Sequence, residues 1–163
     1  AYINKGETEQ VLTHIDIDDI LTEKHFEMKK AQLLENTKKR GKNVSTIDWA
    51  NITYAEYVEK YEKTKTSCLK QTIAGRKFHE LNRKLREELS SVDGAVIVDF
   101  DGTIIACGAI VRIEAGSMGG GRLAATSTLA KYGVAVKISQ DGIMQAFMAD
   151  KKTGRVKPIF TVG

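Results

Sequence analysis

Four short strings in this chain carry residues able to do chemistry. The first is Gly119-Gly120-Gly121-Arg122, running into LAATS. Consecutive glycines let main-chain amides turn toward an anion, a following helix presents its positive end, and arginine adds a two-pronged donor. The string reads as an anion cradle or as a plain loop. The second is Asp93-Gly94-Ala95 in SSVDGA, where Asp93 either closes a helix-to-strand turn or offers its carboxylate to a ligand. The third is Ser139-Gln140-Asp141-Gly142, which ends GVAVKIS and sets Ser139 and Asp141 at the edge of a sheet, as ligand contacts or as a turn. The fourth is VIVDFDGTI, in which Asp99 and Asp101 form a polar hairpin tip, solvated unless they are catalytic. Thr126 and Ser127 either donate to a ligand or cap and pack within their own helix. His25 and His79 sit in mixed-charge helical stretches without ligand partners nearby, and read as surface residues.

These strings need elements to hold them. Residues 8–90 read as helices. In the stretch from Thr53 to Leu89, Tyr54, Tyr57, Val58, Tyr61, Leu69, Ile73, Phe78, Leu81, Leu85 and Leu89 mostly recur three or four apart, the spacing of an apolar stripe. Gly75 marks a kink or a break. Thr53 with Glu56 three residues later makes a capping box. The Tyr54, Tyr57 and Tyr61 stripe reads as core or helix contact. Upstream, IDIDDILTEKHFEMKKAQLLEN predicts a further helix with Ile20, Phe26, Met28, Leu33 and Leu34 inward. From Ser91 the pattern changes to AVIVDF, TIIACGAIVRI, GVAVKIS, IMQAFMAD and VKPIFTV, short runs rich in β-branched residues and bounded by glycine or aspartate. DFDG is a hairpin turn. The order strand, strand, glycine-rich loop, helix, strand, strand, strand implies a mixed sheet with a helix across one face. The fold class is therefore α+β, a helical region at 1–90 followed by a mixed-sheet domain at 91–163.

Composition narrows the function classes. Hydrophobic residues make up 42% of the 163 and charged residues 28%, too apolar for disorder. No apolar run is long enough to span a bilayer and the start lacks a signal pattern, so no membrane is expected in this stretch. The formal charge is +4, with acids interleaved among the bases, unlike the one-sign stripe of a nucleic-acid surface. Cys68 and Cys107 have no metal-ligand spacing; they form one disulfide or, better suited to a reducing cytoplasm, remain thiols.

VIVDFDGTI resembles the first motif of the haloacid-dehalogenase-like phosphatases. That resemblance implies a phosphotransferase in which Asp99 attacks phosphorus and Asp101 handles the leaving-group proton. Its context disagrees, because a hairpin return strand follows where the family needs a helix, and no later acidic pair is placed for magnesium.

A second resemblance uses all four strings in order. Asp93-Gly94-Ala95, a hairpin with Gly108 on its return strand, Gly119-Gly120-Gly121-Arg122 before a small-residue helix, and Ser139-Gln140-Asp141-Gly142 are together similar to the diadenylate cyclase domain family. The resemblance implies a cytoplasmic bacterial signalling domain that binds ATP or a cyclic dinucleotide such as cyclic di-AMP, working as a pair of copies. It implies that Asp93 lies near the ribose hydroxyl and a Mg²⁺ or Mn²⁺ ion, that Gly94 and Ala95 leave room for the nucleoside, and that Gly119, Gly120, Gly121, Arg122, Thr126, Ser139 and Asp141 line the site. The family's Arg-His-Arg is reduced to Arg122, and no histidine follows His79. Losing such donors costs transition-state stabilisation. The expected function is nucleotide binding or sensing with little or no cyclase activity. The alternatives are an active cyclase with Asp93 and Arg122 as catalytic residues, and the phosphotransferase built on Asp99.

Overall fold

In a computed structural model, residues 1–40, 46–73, 75–113 and 120–163 are described. Helices α1 (Thr8–Thr13), α2 (Glu23–Arg40), α3 (Tyr54–Tyr61), α4 (Thr64–Ile73), α5 (Arg83–Ser91) and α6 (Gly120–Leu129) surround strands β1 (Tyr2–Ile3), β2 (Ala95–Val98), β3 (Ile104–Ala109), β4 (Gly133–Ile138), β5 (Met144–Ala149) and β6 (Val156–Val162). The strands form one mixed sheet in the order β3-β2-β1-β4-β5-β6. The α+β class and the helix crossing one sheet face are as the sequence implies.

The first residues complete the middle of the sheet. Tyr2 pairs with Val98 in parallel and with Val134 in antiparallel, so two residues join the β2–β3 hairpin to the β4–β6 meander. The segments 1–90 and 91–163 consequently share cores. On one sheet face Ile3, Ile97, Ile105, Ala135 and Phe147 pack with Val11, Leu12, Ile15, Phe26 and Leu129. On the other face Ile104, Cys107 and Val96 meet Leu21, Ile73, Leu81 and Leu89. Each fully buried side chain of this size contributes about 1.5–3 kcal/mol of transfer free energy.

Local chemistry explains the helix ends. The Thr53 hydroxyl accepts from the Glu56 amide at 3.2 Å, while Glu56 accepts from the Thr53 amide at 2.9 Å, the capping box read from the sequence. The long apolar stripe is not one helix or two. It breaks at Glu62, which is extended, at Gly75, whose φ is +71°, and again at Asn82, whose side chain accepts from the Leu85 amide at 2.8 Å. Tyr57 is buried and stacks 4.8 Å from Phe26, which accounts for the tyrosine stripe, although Tyr61 is 42% exposed. Upstream, the helix starts only at Glu23. Ile17–Asp19 forms a 3-10 turn, and the next residues run along the outer edge of β3, where the Leu21 amide donates to the Ile105 carbonyl at 2.8 Å.

Candidate functional site

Strand register fixes where three of the four strings lie. Ala95 pairs with Ala109, Tyr2 with both Val98 and Val134, and Ile138 with Met144. The start of β2, the end of β3 and the end of β4 therefore share one end of the sheet. Helix α6 packs on β4, and only residues 130–132 separate the two elements. It doubles back over β4 on the face of the main core, with Gly120, Gly121 and Arg122 toward that same end, whereas α5, which leads into Asp93, packs on the other face. Gly119 lies outside the described residues.

At that end Asp93 is exposed, and its Oδ1 accepts from the Gly94 amide at 3.1 Å. Arg122 is exposed in the first turn of α6. The turn between β4 and β5 is held by the Ser139 amide donating to Ile143 and by Asp141 Oδ1 accepting from the Ile143 amide at 3.3 Å, which leaves the Asp141 side chain exposed.

Three expectations change. Thr126 is buried, and its hydroxyl donates to the Arg122 carbonyl at 2.7 Å, so it is not available to a ligand. Ala95 is half-buried against the core rather than opening space for a nucleoside. Gly94 has a structural duty: with φ at +103°, a Cβ there would lie 2.4 Å from the Gly108 carbonyl carbon, so two backbones cross where no side chain fits. The Lys65 ammonium donates to the Gly108 carbonyl at 2.8 Å and ties α4 to this crossing.

The opposite end of the hairpin holds what the sequence reading missed. Asp99 is 1% exposed, not a solvated tip, and His25 is 1% exposed, not a surface residue. Asp99 Oδ1 accepts from the Thr8 hydroxyl at 2.9 Å and the Phe100 amide at 2.7 Å; Oδ2 accepts from His25 Nε2 at 3.2 Å. Burial pushes the Asp99 carboxyl up, but the Phe100 amide, Thr8 and His25 outweigh it and hold it below the usual range. Burial lowers the His25 ring more than Asp99 raises it. A neutral imidazole with its proton on Nε2 satisfies both groups. Nδ1 then accepts from the Thr22 hydroxyl at 2.5 Å, at the start of α2. With both oxygens engaged and its surface buried, Asp99 cannot reach a phosphorus atom, and the phosphotransferase reading falls with it. Asp101 is exposed and accepts from the Thr103 amide within the turn at 2.9 Å. His79 is exposed, as expected.

Comparison with family models, with curated proteins and with solved structures finds no match to this chain. Function must be argued from its own geometry. A cavity of about 260 Å³ lies beside Thr22, Tyr54, Lys70, Ile73, Thr103 and Ile104, at the Asp99 end rather than the Asp93 end. Its lysine is already committed, paired with Glu62 and 4.6 Å from the Tyr54 ring centre. Among the described residues no group of three or more histidine, cysteine or acidic side chains is placed to hold a metal ion, and no helix is long and apolar enough to cross a membrane. Both cysteines are free thiols, Cys68 exposed and Cys107 buried, with burial pushing the Cys107 thiol up.

Proposed function

We propose that this chain is a nucleotide-binding module of diadenylate-cyclase-like design, with little or no cyclising activity, whose ligand lies at the sheet end where β2 begins and β4 ends. One observation supports the reading: strand register sets the turns carrying Asp93, Ser139 and Asp141, up to 48 residues apart in sequence, at one end of the sheet, and Arg122 lies in the first turn of α6, which packs on β4. Arg122 supplies a phosphate partner on the first turn of α6, where the helix dipole also favours negative charge. The Asp93 carboxylate suits a ribose hydroxyl. Gly121, exposed and without a side chain, lets a phosphate approach the backbone. A Mg²⁺ or Mn²⁺ ion would find one protein carboxylate at Asp93 and would rely on phosphate and water for its other ligands, the usual habit of Mg²⁺. With Arg122 alone in place of three phosphate-gripping side chains, ground-state binding survives better than transition-state stabilisation.

The test is a thermal-shift panel with ATP, ADP and cyclic di-AMP, with and without Mg²⁺ or Mn²⁺. A ligand at a hundred times its Kd stabilises by about 2.7 kcal/mol, which raises the midpoint by about 5–10 °C in a protein of this size. Arg122→Ala should remove most of the shift and Asp93→Asn part of it. No shift with any nucleotide at millimolar concentration, or a shift indifferent to Arg122→Ala, refutes the proposal. Cyclic di-AMP formed from ATP and lost in Asp93→Asn would make the chain an enzyme instead.

A further inference from the structure

The two ends of the sheet are finished differently. The outer edge of β3 is covered by residues 20–21, through the Ile20–Ala106 bridge and the Leu21–Ile105 hydrogen bond. At the other end, β4, β5 and β6 are covered on one face only. Ala135 and Phe147 face α6 and the main core. The reverse face can be traced residue by residue, because directly paired residues point the same way. Ile104 belongs to the core under α4 and α5; it pairs with Val98, Val98 with Tyr2, and Tyr2 with Val134. Val136 and Ile138 continue that face along β4, Met144 and Ala146 lie beside them on β5, and Val162 and Phe160 lie beside those on β6. Tyr2, Val136, Ile138, Met144, Phe160 and Val162 are 43, 46, 47, 39, 48 and 55% exposed.

We propose that a second copy of this chain covers this face, two sheets packing face to face about a two-fold axis. Size supports it. Six large apolar residues, each about half exposed and worth roughly 150–200 Å² when fully open, present on the order of 500 Å² of apolar surface. Interfaces are about 60% apolar, so a patch of that size implies about 800 Å² per partner, the standard size for a specific complex. Charge supports it too. The paired positions of this face carry one charged side chain, Lys157 opposite Met148, and its ammonium lies 3.0 Å from an Asp150 oxygen. A two-fold axis sets each patch against its own image, which penalises any patch bearing uncompensated charge; this one bears none. Edge-to-edge pairing is the weaker geometry, because Pro158 in β6 offers no amide and Lys157 stands beside it.

Sedimentation equilibrium separates the outcomes. The protein should show twice its 18.0 kDa mass as concentration rises, across about 1–100 μM, where a standard-size interface of modest affinity is populated. Phe160→Glu and Met144→Glu should each weaken the dimer at least tenfold while leaving the far-ultraviolet spectrum and the unfolding midpoint of the monomer intact, since both side chains are exposed. Thr161→Glu, opposite Gln145 on the reverse face of the same strand, should leave it unchanged. A monomer throughout overturns the proposal and hands the face to a different partner. A dimer that survives Phe160→Glu, or that Thr161→Glu dissociates equally, overturns the face-to-face geometry.

Discussion

Replacing Asp99 probes the buried network most directly. Asp99→Leu keeps a side chain of similar size but withdraws the acceptor for Thr8, His25 and the Phe100 amide. The Thr8 and His25 contacts are buried, and the Phe100 contact is partly so. Each buried donor left unsatisfied costs about 1–3 kcal/mol, and burying the leucine side chain offsets part of the sum. Lys24, 3.6 Å away and 66% exposed, adds little. The net loss should be about 3 kcal/mol. Asp99→Asn should cost only about 1 kcal/mol: its oxygen still accepts from Thr8 and Phe100, and its amide can donate to His25 once the imidazole moves its proton to Nδ1 and donates to Thr22. Urea denaturation followed by the fluorescence of Trp49, which stacks 5.9 Å from Tyr57, reads both. With a slope of about 2 kcal/mol/M, Asp99→Leu should lower the midpoint by about 1.5 M. The pH dependence has a sign as well. The folded His25 titrates below its ordinary 6.5, so the unfolded chain takes up that proton first, and stability falls as pH drops below 6.5. Asp99 titrates below 3.8 when folded, so its contribution holds above that pH and is lost as pH falls through the folded value. His25→Gln should flatten the slope that sets in as pH falls below 6.5. Equal losses for Asp99→Leu and Asp99→Asn, or an Asp99→Leu protein within 1 kcal/mol of the parent, would refute the network.

Two further outcomes are expected. Gly94→Ala forces a Cβ to within 2.4 Å of the Gly108 carbonyl carbon at a φ of +103°, and should cost about 3 kcal/mol or more in urea denaturation, with Gly142→Ala, whose added Cβ meets nothing within 4 Å, costing less. Burial, with Arg112 nearby, pushes the Lys29 ammonium down to about 8 from 10.5, so the unfolded chain binds the extra proton between those values and stability should rise with pH across that window. Lys29→Met should remove that rise, seen in denaturation curves at pH 8 and 10; an unchanged slope would show that Lys29 is not buried in solution.

What the sequence made legible is local. Thr53 and Glu56 are three residues apart, and the strands after Ser91 alternate with glycine and aspartate turns, so both are written in neighbouring residues. Asp99 and His25 were misread because their partners are remote: Thr8 is 91 residues from Asp99, and His25 is 74 residues from it. A buried carboxylate and a solvated one look alike until the chain that covers them is in place. Gly94 was visible as a motif residue, but the reason for it, the Gly108 backbone at close quarters, is a tertiary fact. The breaks at Glu62 and Asn82 escaped because the apolar spacing continues across them, although Tyr57 packs in one core and Ile73, Leu81 and Leu89 in the other.

The two-residue strand at the middle of the sheet has a consequence for the order of assembly. The β2–β3 hairpin and the β4–β6 meander are each built from near neighbours, so their pairings close only short loops. Their union waits for Tyr2 and Ile3, which must travel from 96 and 132 positions away in sequence to Val98 and Val134. Closing loops of that length comes late in folding and is slow. Refolding should therefore show a fast phase that makes both pieces and a slower one that zips them together, with Tyr2 substitutions slowing the second phase alone.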